Sequence, residues 1–376
     1  MTIQGLELLP PKVSIEEELS LYKKIAIIKS TIGKLNSELN HSPVDDNLLQ
    51  ILSLKESVQS TRIEGTQVTF ADMIDQANSK KKSKEITEVL NYKKALTVGI
   101  EMINQGNPIS SRMIKSLHKE LMSNEARGTS ASAGEFRKIQ NHIGPDNKIE
   151  NAVYIPIPAQ KIGEYMTNLE YYINSVKHFS FEKEKLDDFN YLDENTDPLI
   201  KAAIIHAQFE SIHPFLDGNG RLGRILIILT CMQDKLIDKP VFFISEELEK
   251  ERLRYYNRLN GVRGKNPNWF EWIDFFLSAS KRMVDSLSVK VENINNLARS
   301  GINIINENNY YINQIWLYTF RNPFCNVKDV ARALGITDAT ARKYLKKLSD
   351  LKLIEEDNSK KRNKLYINYD LINIIS

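Results

Sequence analysis

Cysteine is nearly absent from this chain: Cys231 and Cys325 are the only two in 376 residues, far apart and without metal-ligand spacing. That excludes a disulfide-stapled scaffold and a cysteine-based zinc module, and it makes a reducing compartment, the cytoplasm, the expected location. Long apolar runs are missing too. No stretch approaches the roughly 18 consecutive apolar residues that mark a membrane helix. The start, Met1-Thr-Ile-Gln-Gly-Leu6, has neither the basic nor the apolar part of a secretory signal. A net charge of +3 is too small to argue for nucleic acid by itself. The Walker pattern Gly-x-x-x-x-Gly-Lys-Ser/Thr does not occur, and no internal repeat is present.

What is there reads as an ordinary globular protein, 41% hydrophobic and 26% charged. Its length implies more than one domain. Leu19, Ile25, Ile28, Ile32, Leu35 and Leu39 recur at helical spacing and predict a long amphipathic helix over 14–40. A second helix is expected over 46–64, ended by Gly65. The run Lys80-Lys-Lys-Ser-Lys84 reads as a solvated turn or helix start, and helical periodicity resumes over 85–102 and 110–122. Ile139, Ile143 and Ala152-Val-Tyr-Ile-Pro156 flank Gly144-Pro-Asp-Asn147, so a β-hairpin is expected there. Further helices are expected over 159–176, 198–211, 221–236, 246–259 and 269–291, before an Asn-rich boundary at 303–313. The fold class expected is all-α with one small hairpin. Its expected parts are an N-terminal helical extension over 1–105, a core over 106–295 and a small last domain over 296–376.

The densest chemistry lies in His213-Pro-Phe-Leu-Asp-Gly-Asn-Gly-Arg-Leu-Gly-Arg224. One helix ends near His213, a tight turn follows, and another helix starts near Arg221. Glycines let such a backbone turn sharply and bring its N–H groups close to a ligand. Free N–H groups at the positive end of a helix form an anion site. Arg221 and Arg224, three apart, share one helical face and can reach one polyphosphate. Asp217 offers a hard oxygen to magnesium, and His213 has the proton affinity of a general base near neutral pH. Singly, a Gly-Asn-Gly is usually a turn and a histidine a structural residue. Their joint occurrence within a dozen residues spells phosphoryl or nucleotidyl transfer.

This segment resembles the Fic family signature, His-x-Phe-x-Asp/Glu-Gly-Asn-Gly-Arg-x-x-Arg, without departure at any defined position. The resemblance spans about residues 10 to 280. It implies a protein adenylyltransferase that moves AMP from ATP, with Mg2+, to a hydroxyl side chain of target proteins. His213 would then deprotonate the acceptor and Asp217 hold the metal. Gly218, Asn219, Gly220, Arg221, Leu222, Gly223 and Arg224 would form the ATP cradle, with Pro214 and Phe215 anchoring the turn. Gly220 stands where a kinase-like branch carries lysine. The stretch from Gly134-Glu-Phe-Arg137 to Tyr154-Ile-Pro156 resembles the family's flap, whose Val153, Tyr154 and Ile155 would hold a target segment as an added strand. Tyr255 and Tyr256 stand where relatives place aromatics against adenine, although helix tyrosines are more often packing residues.

Ser60-Thr-Arg-Ile-Glu64-Gly65 resembles the family's inhibitory helix, Ser/Thr-x-x-x-Glu-Gly/Asn. Glu64 could pair with Arg224 and take away the partner of the γ-phosphate; a surface glutamate is the default alternative. The resemblance also leaves room for Glu64 to orient a water that removes AMP again.

The last domain has helix-turn-helix layout over 326–367. Ala331 and Leu334 would face its core, Gly335 make the turn and Thr337 cap the second helix. Ser359-Lys-Lys-Arg-Asn363 reads as the wing of a winged helix. Arg342, Lys343, Lys346 and Lys347 suit phosphate contacts, while Glu355-Glu-Asp357 weighs against a duplex, so DNA and protein docking stand level. A homodimer stays open. Transfer of another nucleotide such as UMP, and an ATP-sensing DNA-binding regulator, are the competing functions.

Overall fold

The structure, a computed structural model, describes residues 2–75, 83–123, 132–146, 148–184, 187–306, 309–357 and 364–375. Lys80–Lys82 of the basic run, the last residue of the expected turn at Asn147 and the expected wing at 359–363 lie outside them, while Ser83 and Lys84 of that run cap and start a helix. In chain order the elements are β1 (Ile3–Gln4), β2 (Lys12–Ser14), α1 (Ile15–Asn40), α2 (Asp45–Ile63), α3 (Phe70–Asp75), α4 (Lys84–Asn104) and α5 (Ser111–Leu121). There follow β3 (Tyr154–Ile155), α6 (Ile162–Ile173), β4 (Phe189–Tyr191), α7 (Pro198–Ile212), α8 (Asn219–Gln233), α9 (Ser245–Lys250), α10 (Arg252–Gly261) and α11 (Trp269–Ile305). The chain closes with α12 (Tyr310–Tyr318), β5 (Phe324–Asn326), α13 (Val327–Leu334), α14 (Asp338–Asp350), β6 (Glu355–Glu356), β7 (Leu365–Ile367) and α15 (Tyr369–Ile375). The all-α expectation holds. No helix among the described residues is long and apolar enough to cross a membrane.

The contacts divide the chain into two compact units, one of Met1–Ile32 with Lys55–Met283 and the other of Gly33–Leu54 with Val284–Ser376. These divisions fall inside α1, α2 and α11 rather than at the boundaries expected from sequence. The helix expected to stop near 291 runs on to Ile305 because Val291, Ile294, Ala298 and Ile305 keep an apolar face that is buried.

The first unit is built around α7. Every residue from Leu199 to Ile212 is buried, so this helix is enclosed on all sides rather than amphipathic. Asp197 caps it and Pro198 takes the first turn, where a missing N–H costs nothing. Its polar members find partners: Lys201 donates to Ser175 Oγ at 2.8 Å, and Gln208 Nε2 donates to the Glu7 carbonyl at 2.9 Å. α8, equally buried from Arg221 to Cys231, packs beside it.

The expected hairpin is corrected. Ile143 makes one antiparallel bridge to Tyr154, and β3 pairs instead with β1 in parallel, Ile3 opposite Tyr154 and Gln4 opposite Ile155. Asp146 explains this, because its carboxylate accepts from Lys148 N–H and from Asn151 Nδ2 and folds the loop onto itself. A second ladder, β2 with β4, is antiparallel.

In the second unit α13 is closed at its start by a reciprocal capping box between Asn326 and Asp329 and at its end by Gly335 in the left-handed conformation. Thr337 caps α14, and β5, β7 and β6 form an antiparallel sheet in that order. The two capped helices follow the helix-turn-helix spacing read from the sequence, and the segment expected to form a wing lies outside the described residues.

Candidate active site

The chain leaves α7 through His213, whose left-handed backbone (φ 49°) turns it away from the helix. That conformation is uncommon for a residue with a side chain and persists only where the surroundings hold it. Here Arg137 holds it: its Nε donates to the His213 carbonyl at 2.9 Å and its Nη2 to the Ile157 carbonyl at 2.6 Å. Its own N–H donates to the Pro214 carbonyl at 2.8 Å. Phe215 is fully buried and anchors the loop in the core.

Asn219 closes the turn. Its Oδ1 accepts from the Phe215 N–H at 3.0 Å and its Nδ2 donates to the Phe215 carbonyl at 2.9 Å. The Asn219 side chain is therefore spent on the loop, and what this residue offers a ligand is its backbone N–H. Gly218, at φ 77°, ends the turn and starts α8 without a side-chain cap. The first N–H groups of a helix have no partner within it, so Asn219 and the residues after it present donors and the positive dipole end. The Leu222 N–H is already bound to the Gly218 carbonyl, and the Leu222 side chain is buried. Gly223 lies against Glu210 and His206, where a β-carbon would collide. Both belong to the packing of α8 rather than to the cradle expected of them.

Arg221 and Arg224 are 3% and 1% exposed, yet Arg221 Nε and Nη1 and Arg224 Nη1 have no hydrogen-bond partner. Buried unpaired guanidinium donors are costly, and anionic oxygens would satisfy them. That fits a polyphosphate. Asp217 sits at the rim, accepting from the Gly218 N–H at 2.6 Å, with Arg221 Nη2 3.4 Å away. Among the described residues no three metal-ligating side chains gather. A single carboxylate suits magnesium when substrate phosphates supply most of its oxygens.

Across from this cradle stands the end of α2. Arg224 Nη2 donates to Glu64 Oε1 at 2.7 Å and to the Ser60 carbonyl at 2.9 Å, and Arg224 Nε donates to Ser60 Oγ at 2.8 Å. Gly65, at φ 95°, turns the chain just after Glu64. Burial pushes the Glu64 carboxyl up, but the charge and hydrogen bond of Arg224 outweigh it and hold the group below the usual carboxylate range. A side chain at Gly220 would strike the Glu64 carboxylate. The absence of a side chain there is thus a steric condition for the Glu64–Arg224 pair.

His213 is pushed down to about 4, first by burial and then by the Arg263 charge. Its Nδ1 lies 3.3 Å from the Glu210 carbonyl, which can only accept, so the proton sits on Nδ1 and Nε2 keeps its lone pair.

The two tyrosines part company. Tyr255 is 1% exposed, stacked among His206 and Trp272, with its hydroxyl 2.9 Å from His206 Nε2. It is a core residue, corrected from the adenine contact expected. Tyr256 is only partly buried, and its hydroxyl reaches toward the Ile63 carbonyl beside Glu64 at 3.4 Å. Of the flap residues, Tyr154 is fully buried with its hydroxyl donating to the Ser211 carbonyl at 2.8 Å and its ring under Arg263. Val153 is 43% exposed and Ile155 partly so. The backbone of 153–155 is bridged on one side by Ile143 and on the other by β1, so the added strand expected there meets an edge already paired.

Residues outside the motif complete the site. His118 of α5 stacks on Phe215 at 3.8 Å, accepts from the Gly134 N–H at Nδ1 (2.8 Å) and places Nε2 3.0 Å from the Asp217 carbonyl. Burial pushes it down to about 4, so it stays neutral and clamps the loop to the segment at Gly134. Glu56, one turn before Ser60 on α2, is 3% exposed and accepts from Tyr92 and Ser245 hydroxyls. The i, i+4 spacing of Glu56, Ser60 and Glu64 was a legible signal. Glu88 of α4 faces Arg221 at 3.8 Å and accepts from Thr66 Oγ1 at 3.1 Å. Nothing local in the sequence marks Glu88 or His118 beyond a polar residue on a buried helix face.

Comparison with known proteins agrees with this geometry. The chain is 24% identical over 202 residues to the protein adenylyltransferase Fic of Aedes aegypti, covering 54% of this chain and 34% of that protein. It is 26% identical over 155 residues to the protein adenylyltransferase fic-1 of Caenorhabditis briggsae, covering 40% of this chain and 24% of that one. It thus spans about a third or less of these relatives' length. A solved structure, a Fic family protein from Desulfovibrio desulfuricans G20, superposes with a TM-score of 0.56 at 19% identity over 96% of this chain and 98% of that one, which shows the shared fold. The Fic/DOC family N-terminal profile matches residues 22–101, where Ser60 and Glu64 lie, and the Fic/DOC family profile matches 108–231, which holds the loop from His213 to Arg224. With the two profiles together matching more than half its length, this chain belongs to the Fic/DOC family.

Proposed function

We propose that this chain is a protein adenylyltransferase that moves AMP from ATP to a Tyr, Thr or Ser hydroxyl of target proteins and of itself, restrained by its own Glu64. The observation that carries the proposal is the buried Arg224, bonded to Ser60 and Glu64 yet keeping an unpaired donor, one turn into a helix whose free N–H end faces the same space. A polyphosphate and the Glu64 carboxylate compete for this one guanidinium.

In this reading His213 Nε2, neutral at pH 7, accepts the proton of the acceptor hydroxyl. The hydroxyl oxygen attacks the α-phosphorus, an O–P bond forms as the bond to pyrophosphate breaks, and pyrophosphate departs with the electron pair. Arg221, Arg224 and the N–H groups at the start of α8 neutralise the phosphates, where preorganised donors act most strongly. Asp217 would hold Mg2+, which supplies charge neutralisation on the phosphate oxygens. While Glu64 holds Arg224, ATP lacks a full set of donors and its α-phosphate is not set for attack. A water oriented by the same carboxylate would support removal of AMP. The site of action proposed is the cytoplasm, where the two buried thiols, Cys231 and Cys325, stay reduced.

The test is the intact mass of the Glu64→Gly protein incubated with ATP and Mg2+. An added AMP that is scarce in the wild type and absent from Glu64→Gly/His213→Ala supports the reading. An unmodified Glu64→Gly protein defeats it. UTP run in parallel decides between AMP and UMP transfer. A regulator that only senses ATP predicts no adduct with any nucleotide.

A further inference from the structure

In the second unit, α14 buries Ala341, Tyr344, Leu345 and Leu348. That periodicity turns Ala339, Arg342, Lys343 and Lys346 outward, all of them exposed. A shallow groove of about 920 Å³ lies on this face, lined also by Lys347, Asp350 and Leu351. Asp338, also exposed, lies at the helix start. The neighbouring acidic strand is partly neutralised, because Lys364 Nζ lies 2.7 Å from Glu356 Oε1.

What the face lacks decides the class of partner. Among the described residues, α14 exposes no large apolar side chain. Protein docking sites take most of their affinity from aromatic and apolar anchors at a desolvated centre, with charge at the rim. Here the groove exposes more carbon than polar surface, but five of its seven lining residues are charged and only Ala339 and Leu351 are not, so that carbon is largely Lys and Arg stem. Duplex nucleic acid asks for the opposite arrangement: cations for phosphates on a helix slim enough to enter the major groove. The small Ala339, near the N-terminal end of α14, allows that end to approach base edges, as a recognition helix does.

We infer that α14 binds duplex nucleic acid, with Arg342, Lys343 and Lys346 on the phosphates. This inference is independent of the transfer chemistry proposed for the first unit.

The experiment is fluorescence anisotropy of the full-length chain with a labelled mixed-sequence DNA duplex, repeated at several salt concentrations. Three phosphate contacts predict a log–log salt slope of about −2.7, or roughly 40-fold weaker binding at 200 mM than at 50 mM salt. The triple variant Arg342→Ala/Lys343→Ala/Lys346→Ala should lose at least about tenfold in affinity, and Lys346→Ala alone should flatten the slope by about one. Charge-keeping Lys346→Arg should bind as the wild type does, which separates charge from misfolding. Wild-type binding too weak to measure at 50 mM salt overturns the inference. So does an affinity that the triple variant leaves unchanged, or an acidic polypeptide of matched charge that binds as tightly as the duplex.

Discussion

Glu64 and Arg224, 160 residues apart in the chain, are joined by a charged hydrogen bond of 2.7 Å, with Ser60 holding the same guanidinium from one turn earlier on α2. Both partners of Arg224 thus come from one helix end, and under the proposed function a movement of that end would release the arginine to a phosphate. The predictions below follow from this arrangement and from the groups around it.

Ser60→Ala removes the acceptor for Arg224 Nε but leaves the Glu64 charge. Self-modification should rise several-fold, by less than in Glu64→Gly. The lost bond is to a charged group and is worth about 1.5–3 kcal/mol, so thermal unfolding should also shift downward. Rates from mass spectrometry and a melting curve check both, and a Ser60→Ala rate equal to that of the wild type removes Ser60 from the restraint.

His118→Ala, placed in the Glu64→Gly background, breaks the clamp between the Asp217 carbonyl and Gly134. Turnover should fall by roughly tenfold, since misplacing a positioned group by a fraction of an ångström costs about that or more. The Mg2+ concentration for half-maximal rate should rise, because Asp217 is no longer held. A fall in stability with unchanged magnesium dependence would reduce His118 to a packing residue.

His213 is neutral down to about pH 4, because burial and the Arg263 charge oppose its protonation. Loss of the Glu64 charge, which favours protonation, lowers it further. The acid limb of kcat/KM for Glu64→Gly should therefore lie near or below pH 4 and not at the ordinary histidine value near 6.5. An acid limb at 6.5 would show that His213 is solvated or is not the base.

Glu56 and Glu210 are each raised from 4.5 to about 7, chiefly by burial. A carboxyl raised on folding stays protonated in the folded state while the unfolded chain ionises. Its favourable contribution is complete below pH 4.5 and is lost progressively as pH rises to about 7. The melting temperature should fall over that window, and Glu56→Gln with Glu210→Gln should flatten the decline. An undiminished decline in the double variant would place the titrating groups elsewhere.

Much of this was legible from local patterns. The helices follow apolar spacing, the helix-turn-helix follows its caps, and a dozen consecutive residues place a turn, an anion cradle, an arginine pair and a histidine together. Ser60 and Glu64 stand out through their resemblance to the family's inhibitory motif, and not through any feature of their own segment. The hairpin expectation failed because alternation and a Gly-Pro-Asp turn predict a strand but not its partner, and β3 forms its two-residue ladder with β1 while Ile143 makes a single bridge.

By itself, the order of residues determined the helices, the sharp loop and the chemical groups it carries, since these depend on neighbours within a turn or two. Only tertiary packing decided that Arg224 meets Glu64, that His118 reaches Asp217, that Tyr255 is sealed in the core while Tyr256 keeps a face, and that the Asn219 amide serves the loop. Contacts between residues tens to hundreds of positions apart are set by how buried faces fit together, and no local repeat encodes that.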